Sequence, residues 1–265
     1  MRANLEITTL DLSFRRKAIV GFTIGLVLYI LVVVALYPSF KNSTELDSLT
    51  KDSPGVAALF GISGSLTSPV GWMNANAWVN FFPLIVLLLT IGYGASAIAG
   101  QEKDGHLELV LSLPFPRRSV VVQKIGALSV QALILCFFTF LAVLTGHWFE
   151  LSFGTSELIT ATAGVLLLGI DFGLLALAIG AGTGNRGLAL GVASTAAAAS
   201  YLVSSMAPVV SWLDPAKYLS LFYWSVGNNQ LQDGLSVAGF SVLAGVGIVI
   251  AISADRLFRS HDLVA

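Results

Sequence analysis

The 265 residues are 55% apolar and only 11% charged, against about 25% charged residues in a soluble domain, which excludes a soluble globular protein and predicts an integral membrane one. Fourteen Lys and Arg against fifteen Asp and Glu leave a net charge of −1, so there is no basic domain of the kind that follows nucleic-acid phosphates. The single cysteine, Cys136, lies within an apolar run, and without a second thiol neither a disulfide framework nor a cysteine metal site can form.

A bilayer core of about 30 Å needs roughly 20 apolar residues as a helix. Six stretches meet that requirement or nearly so: 18–37, 77–99, 120–144, 158–181, 188–210 and 235–254. The first follows Arg15, Arg16 and Lys17, but its apolar run exceeds a secretory h-region and no small-x-small site precedes Pro38, so it reads as a retained span. Residues 1–265 then form one all-α membrane domain.

Ahead of this span, Ala3, Ile7, Leu10 and Phe14 recur at helical spacing, which predicts a separate amphipathic helix lying along the inner interface. Basic residues divide unequally between the two sides. Eleven (Arg2, Arg15, Arg16, Lys17, Lys103, Arg117, Arg118, Lys124, Arg186, Arg256, Arg259) fall on one side and three (Lys41, Lys51, Lys217) on the other. The positive-inside rule therefore places both termini in the cytoplasm and the 38–76 interval outside. Trp72, Trp78, Trp148, Trp212 and Trp224 lie near the expected outer ends, where indole rings favour the headgroup layer.

Within 38–76, Gly61-Ile62-Ser63-Gly64 matches the G-x-S-G of rhomboid-type intramembrane serine proteases. That chemistry needs a membrane-embedded Ser beside a His base. Ser63 lies in a turn-rich loop and the outer-side histidine, His147, ends span three, so a loop of small residues accounts for the match. Pro83 predicts a kink in span two. Asp171 stands mid-span in helix four, where an ionised carboxylate costs about 2.5–3.5 kcal/mol. It reads either as a site for a cation or proton, as in an ion-coupled secondary transporter, or as a packed polar residue. The pairs Gly21/Gly25, Gly169/Gly173 and Gly187/Gly191 are G-x-x-x-G spacings that predict close intrachain helix packing. Residues 182–187 fit G-x-G-x-x-G but follow no strand of a βαβ unit, and read as a turn. Residues 211–234 are too polar to cross and predict a short helical hairpin at the outer face.

The most informative segment is QEKDGHLELVLSLPFPRRSVVVQK, Gln101 to Lys124. Leu107, Val110 and Leu111 share one helical face that Pro114 and Pro116 terminate. Such a helix has only the membrane surface or another protein to cover it, and Glu102, Asp104 and Glu108 favour a protein over anionic lipid.

Here the chain resembles the permease subunits of ABC-2 type transporters. Glu102, Gly105, Leu107, Glu108, Leu111, Ser112, Leu113, Pro114, Arg117 and Lys124 are similar to that family's acidic-Gly-Thr-Leu-Glu, Leu-Ser-Leu-Pro, Arg and Lys pattern, with His106 where Thr is common. The resemblance implies six spans, cytoplasmic termini, an interfacial N-terminal helix, a cytoplasmic coupling helix and an outer hairpin. It also implies a separate ATP-binding subunit that grips the coupling helix and carries ATP and Mg²⁺, a second permease chain, identical or homologous, and a prokaryotic plasma-membrane location. The expected role is export of a hydrophobic or amphipathic compound such as a drug, antibiotic or lipid-like molecule. This chain would then have no catalytic residues, in keeping with the lack of a G-x-x-x-x-G-K-[ST] stretch.

Overall fold

The computed structural model describes residues 6–43, 65–103, 116–227 and 229–260, the side chains of Lys103, Arg117 and Ser260 excepted. Six helices are long and apolar enough to cross a membrane. Their regular α-helical parts are α1 (Glu6–Phe40), α2 (Phe81–Ala97, the last part of a span Pro69–Ala97), α3 (Arg117–Leu144), α4 (Thr155–Thr183), α5 (Arg186–Met206) and α6 (Val237–Ser260). No strand occurs among the described residues.

α4 is the central helix. It packs on α2 and α6 and more lightly on α5 and α3, while α1 packs chiefly on α3. Glycine sets the closest crossing: a Cβ at Gly94 of α2 would lie 2.1 Å from the Gly173 carbonyl oxygen of α4, and Cβ atoms at Gly169 and Gly173 would meet Val86 at 2.3 Å and Leu128 at 2.7 Å. These glycines bring the backbones together where lipid offers no hydrophobic drive to do so. The other two glycine pairs do not pack as expected. Gly21, Gly25 and Gly191 have open space where a Cβ would stand, and Gly187 meets only the Asn185 side chain.

The structure also departs from the expected separate interfacial helix. Residues 6–40 form one continuous helix, about 52 Å long at 1.5 Å per residue. No Gly or Pro occurs from Glu6 to Val20 to interrupt it. Its first turns bury Ile7, Thr8 and Asp11 and leave Leu10 and Phe14 outward, so the buried stripe is polar as much as apolar. The expected break near Pro83 is present: the span Pro69–Ala97 is interrupted by a π-helical turn Asn74–Trp78 and the turn at Val79–Asn80, and the Pro83 ring keeps the Val79 carbonyl, four residues back, out of a helical bond.

Two of the five tryptophans are core residues instead of interfacial anchors. Trp78 is fully buried, and Trp72 donates from Nε1 to the Val33 carbonyl at 3.0 Å. Trp148 and Trp212 do project outward. The 211–234 interval forms a 3-10 stretch Ser211–Leu219 and short helices Leu221–Ser225 and Gln230–Asp233. Phe222 and Leu231 are buried in the bundle. Gln230 donates from Nε2 to the carbonyls of Tyr223 and Trp224 at 3.0 and 3.1 Å, satisfying backbone that could not face lipid.

Candidate functional site

One end of the bundle gathers the starts of α1 and α3, the ends of α2 and α6 and the α4–α5 turn. It holds the basic residues Arg15, Arg16, Lys17, Arg118, Lys124, Arg186, Arg256 and Arg259. At this basic end α2 continues into a short helix, Ala99–Lys103, and α3 begins at Arg117 after Pro116 in an extended conformation. Glu102 lies half-buried on the short helix and Arg117 is the first residue of α3. Gly105, Leu107, Glu108, Leu111, Leu113 and Pro114 lie outside the described residues.

The two flanks of that segment meet. Lys124, seven residues into α3, is fully buried and donates to Gln101 Oε1 at 2.9 Å. The same ammonium donates to both oxygens of Asp11, at 2.9 and 2.8 Å. Tyr93 of α2 donates its hydroxyl to Asp11 Oδ2 at 2.5 Å, and Gln101 Nε2 approaches Asp11 Oδ1 at 3.4 Å. Alongside, the Ile7 N–H donates to Gln123 Oε1 at 3.0 Å and the Thr8 hydroxyl to the Gln123 carbonyl at 2.9 Å. Arg15 lies over the Tyr93 ring at 5.3 Å and donates to Ser96 Oγ at 3.3 Å. Charged hydrogen bonds are short and directional, and the low dielectric around them strengthens both their attraction and the cost of breaking them.

The sequence pattern marks Lys124 among the residues that resemble the family but gives it no partner, and Asp11 goes unmarked. A signal was present: Thr8, Asp11 and Arg15 share a face at helical spacing, and Lys124 falls within the apolar run after Val120. A charge inside a predicted span, as Lys124 is, asks for an opposite one.

Asp171 is placed differently from a ligand site. It is 1% exposed, neither oxygen has a hydrogen-bond partner, and it packs against α6, where a Cβ on Gly247 would stand 2.5 Å from Oδ1. It lines neither of the two grooves described below. Asp171→Asn keeps the shape and removes the ionisable group, so it is expected to leave assembly intact and to stabilise the fold by on the order of 1 kcal/mol. Thermal unfolding in detergent measures this, and a destabilised variant would point to a buried partner that the carboxylate needs. His147, the base a protease would require, is exposed in the 3-10 turn Thr145–Phe149 at the end opposite the basic one. Ser63 lies outside the described residues. The 182–187 stretch is a helix–helix turn, with Gly184 at φ 61° and the Asn185 side chain accepting from Leu188 N–H at 3.1 Å.

Two grooves open on the outer surface of the bundle. One, of about 500 Å³, separates α1 from α2 and is lined by Ala18, Gly21, Gly25, Leu26, Tyr29 and Ile85, among others. The second, of about 420 Å³, lies between α2 and α5 and includes Leu84, Leu88, Ser194 and Ala198. Its far end carries a polar pair, with Tyr201 donating to Asn80 Oδ1 at 2.5 Å. α5 beside it is the least apolar of the six spans and the least buried. It turns Ser194, Thr195, Ala198 and Ala199 outward, a surface poorly suited to lipid and suited to close helix contact.

Residues 5–254 match the family described as ABC-2 family transporter protein. No curated protein matches the chain. A match over nearly the whole chain agrees with the six spans and with the sequence pattern on both flanks of the 104–115 segment, and the chain belongs to the ABC-2 transporter family as its multi-pass membrane permease domain.

Proposed function

We propose that this permease works with a separate ATP-binding-cassette subunit that binds residues 101–124 and holds ATP and Mg²⁺, and that together they export a hydrophobic or amphipathic compound across a prokaryotic plasma membrane. The observation that carries the reading is the hydrogen bond between Gln101 and Lys124, which ties the short helix before the 104–115 segment to α3, the helix that follows it. A push on that segment then reaches both spans at once. The unequal distribution of basic residues supports a cytoplasmic position for this end and for both termini.

α2 connects the two halves of the mechanism. Its end joins the segment through the helix Ala99–Lys103, and its length forms a wall of each groove. Closure of the ATPase subunits on nucleotide displaces the segment and shifts α2 against α5, which widens or narrows the groove between them. An apolar groove ending in Asn80 and Tyr201 suits a cargo with an apolar body and a polar group. A second permease chain, identical or homologous, covers the outward small residues of α5 and closes the path from lipid. An ion-coupled carrier based on Asp171 is less well supported, because that carboxylate is packed against Gly247 and lines neither groove.

The test is the reconstituted complex. Glu108→Lys and Leu107→Asp are expected to leave the permease inserted while reducing ATP-driven conformational cycling at least about tenfold, the effect of losing roughly 1.4 kcal/mol of productive interaction. Wild-type cycling in both variants would contradict a docking role for this helix.

A further inference from the structure

We propose that the α1–α2 groove holds one acyl chain of an anionic phospholipid from the leaflet at the basic end, with the lipid phosphate bound by Arg15 and Arg186. This lipid site is separate from the α2–α5 groove that suits a cargo, and it needs no ATPase subunit to fill it.

The groove is bounded at both ends and has the depth of one leaflet. On α1, Arg15, Ala18, Phe22, Gly25 and Tyr29 follow one another at steps of three and four and so share one helical face. The last four of them line the groove, opposite Phe81 and Ile85 of α2. At the far end the Tyr29 and Phe81 ring centroids are 4.8 Å apart, and the Tyr29 hydroxyl donates to the Asn76 carbonyl at 2.6 Å. At the basic end Arg15 donates to Ser96 Oγ at 3.3 Å. Between these two closures, Ala18 to Tyr29 covers about 16 Å at 1.5 Å per residue, near half of a bilayer core of about 30 Å. Among the described residues, no Lys, Arg, Asp or Glu lines this space of about 500 Å³, so its occupant is apolar along its length.

The mouth supplies the headgroup chemistry. A Cβ at Gly100, in the short helix after α2, would lie 3.0 Å from the Ser96 Cβ and 3.7 Å from Arg186 Cδ. Arg15, bonded to Ser96, and Arg186, beside Gly100, therefore approach one point from α1 and α5, near enough for their charges to act on each other. None of the ion pairs among the described residues uses either arginine. Asp11, one turn before Arg15, is held by Lys124 and Tyr93. Two guanidiniums brought together in this way repel, and a phosphate, which matches the paired N–H donors of a guanidinium, offsets that repulsion. Arg16 and Lys17 are exposed alongside and add to the field that attracts an anion. Basic pockets between spans at this level suit anionic lipid headgroups. A free phosphate would use the arginines and leave the groove empty, whereas a phospholipid fills both, because the groove begins at Ala18, the next position on the Arg15 face.

Photolabelling of the full-length protein tests this. It is reconstituted in phosphatidylcholine vesicles containing a small fraction of phosphatidylglycerol with a mid-chain diazirine, illuminated, and the labelled residues are located by peptide mass spectrometry. Label is expected on groove residues such as Phe22, Gly25 and Ile85, and excess unlabelled phosphatidylglycerol is expected to remove it. The pair Arg15→Gln and Arg186→Gln is expected to lower groove labelling at least about tenfold. Because Arg15 lies over Tyr93 of the buried cluster, Gly25→Leu gives a second reading that leaves both arginines in place: a Cβ at Gly25 meets nothing within 4 Å, and the larger side chain fills the groove and is expected to lower the labelling as much. Arg256→Gln, at another exposed basic residue of the same end, is expected to leave it unchanged. An unlabelled groove in the wild type, labelling that survives either the double arginine variant or Gly25→Leu, or an equal loss in Arg256→Gln would overturn the proposal. So would equal labelling by a diazirine phosphatidylcholine, which would leave the headgroup no part in binding. Disulfide formation between copies carrying Gly21→Cys would show the groove covered by a second chain, and would overturn it too.

Discussion

Lys124→Met alone is expected to destabilise the protein by about 3–5 kcal/mol, and Asp11→Leu by a similar amount, because each leaves the opposite charge buried without its partner. Lys124 has no exposed surface and the Asp11 side chain very little, so water cannot replace the missing group. Joint replacement behaves differently. An apolar pair of similar volume removes both charges together with their desolvation cost, and such exchanges are commonly neutral or stabilising. The Tyr93 hydroxyl would still be left without its acceptor, at about 1–3 kcal/mol. Adding Tyr93→Phe is therefore expected to bring stability to within about 1 kcal/mol of the wild type. Thermal unfolding in detergent of the two single variants and the triple one checks this. Equal destabilisation in all three would mean that the cluster packs the helices by shape and not by charge.

Gly94→Ala is expected to disrupt the bundle about as strongly. The added methyl would stand 2.1 Å from the Gly173 carbonyl oxygen, and neither atom belongs to a side chain that can turn aside. Relief requires α2 and α4 to separate along the crossing that positions both grooves. Overpacking costs about 1–3 kcal/mol where side chains can adjust, so a backbone clash belongs at or above the top of that range. Gly25→Ala provides the contrast, since a Cβ there meets nothing within 4 Å. Its expected effect lies within about 0.5 kcal/mol of zero. The yield of monodisperse protein and the unfolding midpoint of the two variants measure the difference. Similar behaviour would contradict the assignment of one glycine to the helix crossing and the other to an open groove.

Much of the fold was legible because the bilayer imposes a length on every apolar run. The expected span 120–144 corresponds to α3 at Arg117–Leu144, and 158–181 to α4 at Thr155–Thr183. Where the expectation failed, the cause was a contact between residues distant in sequence. Helical spacing alone made Ile7, Leu10 and Phe14 an interfacial stripe, but Asp11 is held by Lys124, 113 positions away, and this turns a different face of α1 inward. Trp72 and Trp78 looked like interfacial anchors by position, but the helical turns that carry them, ahead of α2, pack into the bundle, with Trp72 bonded to Val33 of α1 and Trp78 against Phe82. The three glycine pairs were indistinguishable as motifs. Only the neighbours of Gly169 and Gly173 separate a packed pair from two open ones.

The same limit applies to the site. Glu102, Lys124 and the residues between them stood out in the sequence because an amphipathic pattern between two spans asks for a covering surface. Asp11 was not, since its role depends on three other helical segments converging on it. Asp171 stood out in the sequence for the cost of its charge, but the facing Gly247 belongs to a helix 76 residues away and gave no signal.

The central claim is that this chain is one half of a machine whose energy source is bound at residues 101–124. Affinity purification of the tagged protein from native membranes, with identification of every co-purifying chain, tests it most directly. Recovery of an ATP-binding-cassette subunit with the wild type, and its loss on Leu107→Asp with the permease still membrane-inserted, is the predicted result. A permease that purifies without any ATPase under conditions that preserve other membrane complexes, or one that keeps its ATPase when Leu107 is charged, would contradict the account.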